Sequence, residues 1–389
     1  MNTFSAIRKN WNRISAKISG SSRTGDLSIA ILVAILVIFG TVMIFSASYY
    51  PCSNNYYNPY FYLRRQVMWA VGGAFVMWGA SKIDYHVWAR LWVIIPIICM
   101  ILLLLVLTPL GSSANGSQRW IVVGPITIMP GELAKIGIIL FIVGYFSRHP
   151  KWSENFLKGS VAVAGVTALF AGLIMLQPNM STAFTIVAIA GGMLLVAGAK
   201  WKHLFSLGGL GFAAGLVLIF ADSDGYRLAR ATSFLDPFED ALGDGWQVVQ
   251  SLLALGSGGL TGVGLGNSVQ KTLYLPYPQN DFILAIIGEE LGFVGIFCLM
   301  CVFLLLIWRG CHIAMNAKDF TGMLLAAGIT MMIGIQVIIN IAVVTSCMPP
   351  TGVILPFISY GGNALLIFMG IMGILINISK QQENRLTCA

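Results

Sequence analysis

The sequence predicts an all-α polytopic membrane protein of about ten transmembrane helices, with a long outer loop that contains a short re-entrant or interfacial helix. Three observations carry that prediction. Of 389 residues, 57% are hydrophobic and only 10% charged, and mean hydropathy is +0.82, whereas a soluble domain carries about 25% charged residues. The apolar residues come in repeated runs close to the ~20 residues that a spanning helix needs. Basic residues collect in every second loop between the runs, as the positive-inside rule expects.

The runs lie at 27–47, 66–81, 91–108, 132–147, 159–176, 180–198, 203–221, 282–308, 321–345 and 355–379. The first, from Leu27 to Phe45, is too long for a signal-peptide core and lacks a convincing cleavage site, so it reads as a retained span. Sixteen basic residues fall on one side: Arg8, Lys9, Arg13, Lys17, Arg23, Lys82, Arg90, Arg148, Lys151, Lys158, Lys200, Lys202, Arg309, Lys318, Lys380 and Arg385. Six fall on the other (Arg64, Arg65, Arg119, Arg227, Arg230 and Lys271), and Lys135 lies within a span. Both ends are therefore expected inside the cell: a tail at 1–26, a membrane domain at 27–379 and a tail at 380–389.

One outer loop, 222–281, is far longer than the rest. Loops of this length without secondary structure are uncommon and usually functional or disordered. This one mixes acids with Trp246 and Tyr274, and its apolar stretch from Val248 to Leu255 is too short to span, which predicts the re-entrant or interfacial helix.

Several chemistries are excluded. The net charge of +8 is scattered through short loops, which argues against a nucleic-acid partner. Cys298 and Cys301 form a CxxC with no second pair and no nearby histidine, a poor zinc site. His86, His149, His203 and His312 sit apart in or beside predicted inner loops, so neither a histidine metal site nor a Ser-His-Asp triad is expected. The run Gly262-Val263-Gly264-Leu265-Gly266 lacks the Lys-Ser/Thr of a nucleotide loop and follows no strand.

What remains is carboxylates, a few cations and backbone groups. Ionisable residues within a bilayer cost at least ~2.5 kcal/mol at its centre and so mark function by default. Glu132 and Lys135, three apart on one helical face, can pair; they are either a structural lock or the wall of a polar cavity. Asp281 closes the long loop where a span begins, and spacing alone allows either a helix cap or a catalytic base. Glu289 and Glu290 lie two turns deeper and need partners. Arg119 beside Trp120 suits a phosphate and a sugar face, or an interfacial anchor.

These residues together resemble a specific family. Gly264-Leu265-Gly266-Asn267-Ser268-Val269-Gln270-Lys271, Tyr274-Leu275-Pro276 and Asp281 through Gly292 resemble the SEDS (shape, elongation, division, sporulation) peptidoglycan glycosyltransferases, most of all their cell-division branch. Asn115-Gly116 with Arg119-Trp120, Glu132 to Lys135, Gln177-Pro178 and Leu355 to Gly362 agree, and the likeness runs from about Gly25 to Ser379.

The resemblance implies a ten-span fold and polymerisation of lipid II into glycan strands on the outer face of the bacterial cytoplasmic membrane, with septal duty during division. Asp281 would be the essential carboxylate, and Arg119, Trp120, Glu132, Lys135, Gln177, Lys271, Glu289 and Glu290 would line the substrate site. It implies a class B penicillin-binding transpeptidase and other divisome proteins as partners. It implies no obligatory cofactor, leaving open a divalent cation (Mg or Mn) at the pyrophosphate. A lipid II flippase, an ion-coupled transporter and a division scaffold are the rival readings, and none of them would make polymer. Two positions depart from the family pattern: Asn179 replaces the usual Asp, and Asn363 the usual Ser.

Overall fold

The computed structural model describes residues 25–56, 58–114, 117–123, 126–177, 179–220, 234, 236–243 and 245–386. The basic tail, Asn115-Gly116, Pro178, and Arg227 and Arg230 of the long loop lie outside these residues.

Helices dominate. α1 (Leu27–Tyr56) and α2 (Phe61–Ala80) form a hairpin, followed by the short α3 (Tyr85–Arg90) and by α4 (Ile94–Val106). Three strands come next, β1 (Gly111–Ala114), β2 (Ser117–Val123) and β3 (Ile126–Ile128). Then come α5 (Pro130–Arg148), α6 (Ala162–Met175), α7 (Met180–Val196), α8 (Trp201–Phe220), α9 (Trp246–Gly258), α10 (Ile283–Met315), α11 (Phe320–Val344) and α12 (Gly362–Leu386). Ten of them, all but α3 and α9, coincide with the ten apolar runs. Among the described residues six helices are long and apolar enough to cross a membrane, and α4 and α7 are shorter apolar helices. α9 is the helix expected within the long loop.

The surface of this bundle is apolar. On α1, Leu27, Ile31, Ile35, Ile38 and Val42 are exposed at helical spacing, while Ile29, Val33, Leu36, Met43 and Ile44 are buried on the other face. A helix apolar on both faces has lipid as its second solvent. The chain is a multi-pass membrane protein. Inside, α5, α7 and α11 pack on one another, α10 packs on α1 and α11, and α12 packs along α2. The α2–α12 contact depends on small residues, since a side chain at Gly362 would collide with Trp69 and one at Gly373 with the Met77 carbonyl.

At one end of the bundle, side chains close the helix starts. Asp84 accepts from the His86 N–H at 2.9 Å, and Asp319 from the Gly322 N–H at 3.2 Å and from the Tyr85 hydroxyl at 2.5 Å. Asn377 takes the Tyr85 N–H at 3.0 Å and gives its amide to the Ser81 carbonyl at 3.1 Å.

The other end departs from the sequence reading in three ways. Residues 111–114, 117–123 and 126–128, which lie between two of the apolar runs, form an antiparallel sheet of order β1-β2-β3. The last span was expected from residue 355, but 355–361 is irregular buried backbone and α12 begins at Gly362. Pro356 cannot donate a helical hydrogen bond, and Phe357 sits at φ 65, so the run is apolar without being helical. The eighth span runs to Met315 and is broken at Gly292 (φ 67, ψ −167).

That break is the main event of the fold. A helix interrupted in a membrane strands polar groups, and such breaks persist only where protein satisfies them. Here the segment after α9 does so. Val263 and Gly264 donate to the carbonyls of Glu289 and Glu290, each at 3.0 Å. Phe293 and Val294 donate to the carbonyls of Gly259 and Leu260 at 2.9 and 3.1 Å. Backbone meets backbone so closely that a side chain at Gly262 (φ 80) would collide with the Glu290 carbonyl, and one at Gly292 with Gly262 and Leu260. The glycine run that only faintly suggested a phosphate loop is a docking strip for a broken helix.

Gly262→Ala should therefore unfold the protein more easily, by about 2–3 kcal/mol, the upper part of the usual range for one substitution. Gly256→Ala, on α9 with open space around it, should be neutral or stabilising. Thermal unfolding of both in detergent checks this, and equal melting temperatures would refute the docking account.

Candidate active site

The loop that docks the broken helix continues through Ser268 and Lys271 to Asp281, and the two acids of the half-helix turn back onto it. Carboxylates near a helix C-terminus face the negative end of its dipole and need compensation. Glu289, 1% exposed, accepts from the Val269 N–H at 2.8 Å, from the Gln270 N–H at 3.4 Å and from the Ser268 hydroxyl. Glu290, fully buried, receives Lys271 Nζ and the Ser46 hydroxyl of α1, both at 2.7 Å. Lys271 also reaches Ser46 Oγ at 3.2 Å. The partners that the two glutamates require thus exist, and they tie the loop to α10 and α1.

Glu132 and Lys135 of α5 pair at 2.7 Å and are 4% and 1% exposed. Both face inward from the first turns of a helix that Pro130 opens. Across from them, Gly131 lies against Thr182 of α7, and Asn179 caps α7 by accepting the Thr182 N–H at 3.3 Å. Asn caps about as well as Asp, so the departure from the family residue keeps the cap and drops the charge. Gln177, buried, donates to the Leu103 carbonyl at 2.8 Å and so fastens the turn before α7 to α4.

Arg119 and Trp120 sit on β2. Ser112 pairs with Trp120 and Ser113 with Gln118, so Arg119 is the extra residue of a bulge. A bulge re-aims the side chain it carries.

Asp281 lies between these groups at the same end of the bundle. It is partly exposed, unlike Glu132, Glu289 and Glu290. It does not occupy the capping position, which is Phe282. Its carboxylate adjoins Gly352 (φ 69), where a side chain would begin 3.7 Å from Asp281 Oδ2. Its carbonyl accepts from Asn340 Nδ2 of α11 at 2.7 Å, and the same nitrogen donates to the Val353 carbonyl at 2.8 Å. Ser181 of α7 donates to the Thr351 carbonyl, and the Tyr360 N–H to the Gln279 carbonyl at 2.9 Å. A chain of contacts therefore runs from the start of α5 through α7 and the 351–353 backbone to Asp281.

Sequence reasoning missed Asn340, Ser46 and Ser268. Asn340 and Gln336, one turn apart within an apolar run, carried a signal, because buried amides in a membrane helix are costly. The serines carried none.

Comparison with known proteins gives this arrangement a context. The family model described as "Cell cycle protein", covering FtsW, RodA and SpoVE, matches residues 26–384. Stage V sporulation protein E of Bacillus subtilis is 42% identical over 358 residues, 91% of this chain and 97% of that protein. A probable peptidoglycan glycosyltransferase FtsW of Geobacter sp. is 37% identical over 359 residues, covering 92% and 97%. Among solved structures, a chain of a peptidoglycan synthase complex that coordinates polymerization and crosslinking superposes with TM-score 0.75 at 27% identity, covering 92% of this chain and 98% of that one. The rod shape determining protein RodA of Thermus thermophilus gives 0.65 at 26%, covering 92% and 97%.

The buried Lys271–Glu290 pair yields a direct test. Removing one partner of a buried pair leaves an uncompensated charge and costs about 3–5 kcal/mol, whereas replacing both with apolar groups costs far less. Lys271→Met and Glu290→Leu should each depress the melting temperature strongly, and the double variant should recover most of the loss. Additive losses would show that the two are not coupled.

Proposed function

The chain belongs to the family of cell-cycle proteins that includes FtsW, RodA and SpoVE, and on that premise we propose that it polymerises lipid II, with Asp281 as general base. It is a peptidoglycan glycosyltransferase. The observation that carries the assignment is the state of its acids. Glu132, Glu289 and Glu290 are buried and engaged with Lys135, Ser268 and Lys271, while Asp281 is partly exposed on a backbone pinned from below.

A sugar hydroxyl is a poor nucleophile at neutral pH, and a positioned carboxylate that takes its proton in the transition state supplies what is missing. In this reading the Asp281 carboxylate accepts the proton of the 4-hydroxyl of an incoming lipid II. That oxygen bonds to C1 of the growing chain's lipid-linked sugar. The C1–O bond to pyrophosphate breaks, and polyprenyl pyrophosphate departs with the bonding pair. The charge on the leaving group needs cations. Arg119, the bulge residue of β2, is the cation assigned to that charge, and Lys271 is paired with Glu290. The described residues hold no group of three or more His, Cys, Asp or Glu able to bind a metal ion. No step here is routed through a divalent cation.

The likeness to a synthase complex that polymerises and crosslinks supports a class B penicillin-binding transpeptidase as partner. The FtsW relatives support duty at the division septum with other divisome proteins. The basic-residue asymmetry supports inner termini and an outer Asp281.

Two measurements test the proposal. In a cysteine-free background, an impermeant thiol reagent on intact spheroplasts should label a cysteine placed at Leu242, 87% exposed, and should spare one placed at Glu154; the reverse pattern would invert the topology. Asp281→Asn keeps size and removes the basic oxygen. Purified with its transpeptidase partner, that variant should insert and bind lipid II normally yet lose roughly 100-fold or more in polymerisation. Polymer at the unsubstituted rate would remove Asp281 from the mechanism.

A further inference from the structure

We infer that Asn340 is a positioning residue for Asp281, holding the carboxylate against the 352–353 backbone at the geometry that proton transfer needs. The inference rests on Asp281 being the general base.

Asn340 lies on α11 and is 1% exposed. One nitrogen, Nδ2, carries two hydrogens, and both are used: one goes to the Asp281 carbonyl at 2.7 Å, the other to the Val353 carbonyl at 2.8 Å. The residues bridged come from segments more than seventy positions apart in sequence. They are the two walls beside the carboxylate, since Gly352 precedes Val353 and adjoins Asp281 Oδ2. The neighbouring ties, Tyr360 to Gln279 and Ser181 to Thr351, each hold one wall to a different element. The amide of Asn340 holds the two walls to each other through a single nitrogen.

The other half of the amide points the same way. Asn340 Oδ1 is buried with no hydrogen-bond partner among the described residues. A buried acceptor left unsatisfied opposes folding, and leucine, of similar volume, would avoid that cost. Leucine would in turn strand the Asp281 and Val353 carbonyls, so it is these two converging carbonyls on the catalytic loop that call for an amide here. A general base works only within hydrogen-bond reach of the proton that it takes, and small misplacements of reacting groups are expensive. The amide fixes where the base stands without touching the substrate.

The test uses full-length protein with its transpeptidase partner, and lipid II as substrate. Asn340→Leu removes both donors. If the residue positions the base, kcat should fall roughly 10- to 100-fold, with KM for lipid II and partner copurification unchanged and the protein still folded, its melting temperature lowered modestly by the two carbonyls left without a donor. Asn340→Ser, which keeps one shorter donor, should lie between the two. In an Asp281→Asn background, Asn340→Leu should cause no further loss, because a residue acting through the carboxylate has nothing left to position. A KM effect with kcat intact, losses that multiply in the double variant, or failure of both Asn340 variants to fold would overturn the inference. If Asp281→Asn itself keeps full activity, the general-base reading fails first, and the two failures are told apart by that single variant.

Discussion

A backbone group that leaves its helix inside a membrane has no water to turn to, and the arrangement of this site follows from that constraint. Gly292 divides α10 and strands two carbonyls above the break and two N–H groups below it. The segment from Gly259 to Gly264 answers all four. Because the answer is backbone to backbone, it needs glycine at 262 and 292, where any side chain would stand in the interface. The answering segment is also the start of the loop that reaches Asp281, so the place of the carboxylate is set from the break outward. Ser268, Lys271 and the two glutamates then lock the loop to the half-helix it has docked on.

The same site shows how a membrane protein distributes charge. Four acids lie near one end of the bundle, and three are neutralised or hydrogen-bonded out of solvent, because an unpaired buried charge is prohibitive. The fourth, Asp281, stays partly exposed. Burial thus separates three structural carboxylates from the one proposed as the base. A lipid-linked substrate suits such a site, since its polyprenyl chain can remain in the bilayer while the sugar meets the exposed acid at the edge of the bundle.

Most of the architecture was legible in the sequence because lipid imposes a simple code. Length and apolarity mark a helix, and ten runs marked ten helices. The code fails where apolar residues are buried in protein rather than in lipid. Leu355 to Gly361 reads like the start of a span, yet it is an irregular segment whose polar groups are met by Ser359, Leu355 and Gln279. The strands at 111–128 escaped notice because they are short and their alternation is weak. For the site, the intramembrane charges announced themselves, and the Glu132–Lys135 pair forms as its spacing allowed. The partners of Glu289 and Glu290 could be required but not named, because Ser46 and Lys271 come from 244 and 19 positions away. No local pattern encodes such a meeting. The bulge at Arg119 was equally invisible, since it depends on how two strands register.

Asn179 has a consequence beyond capping. An aspartate cap titrates: as the medium acidifies, the carboxyl gains a proton, loses much of its hold on the N–H of the first turn, and the helix start loosens. An amide has no proton to gain. The cap that Asn179 places on α7, against Gly131 at the start of α5, is therefore the same in acid and at neutrality. The cell envelope outside a bacterial membrane follows the acidity of its surroundings far more closely than the cytoplasm does. Under the outward orientation proposed for this site, trading a charged anchor for a neutral one frees this cap from that acidity.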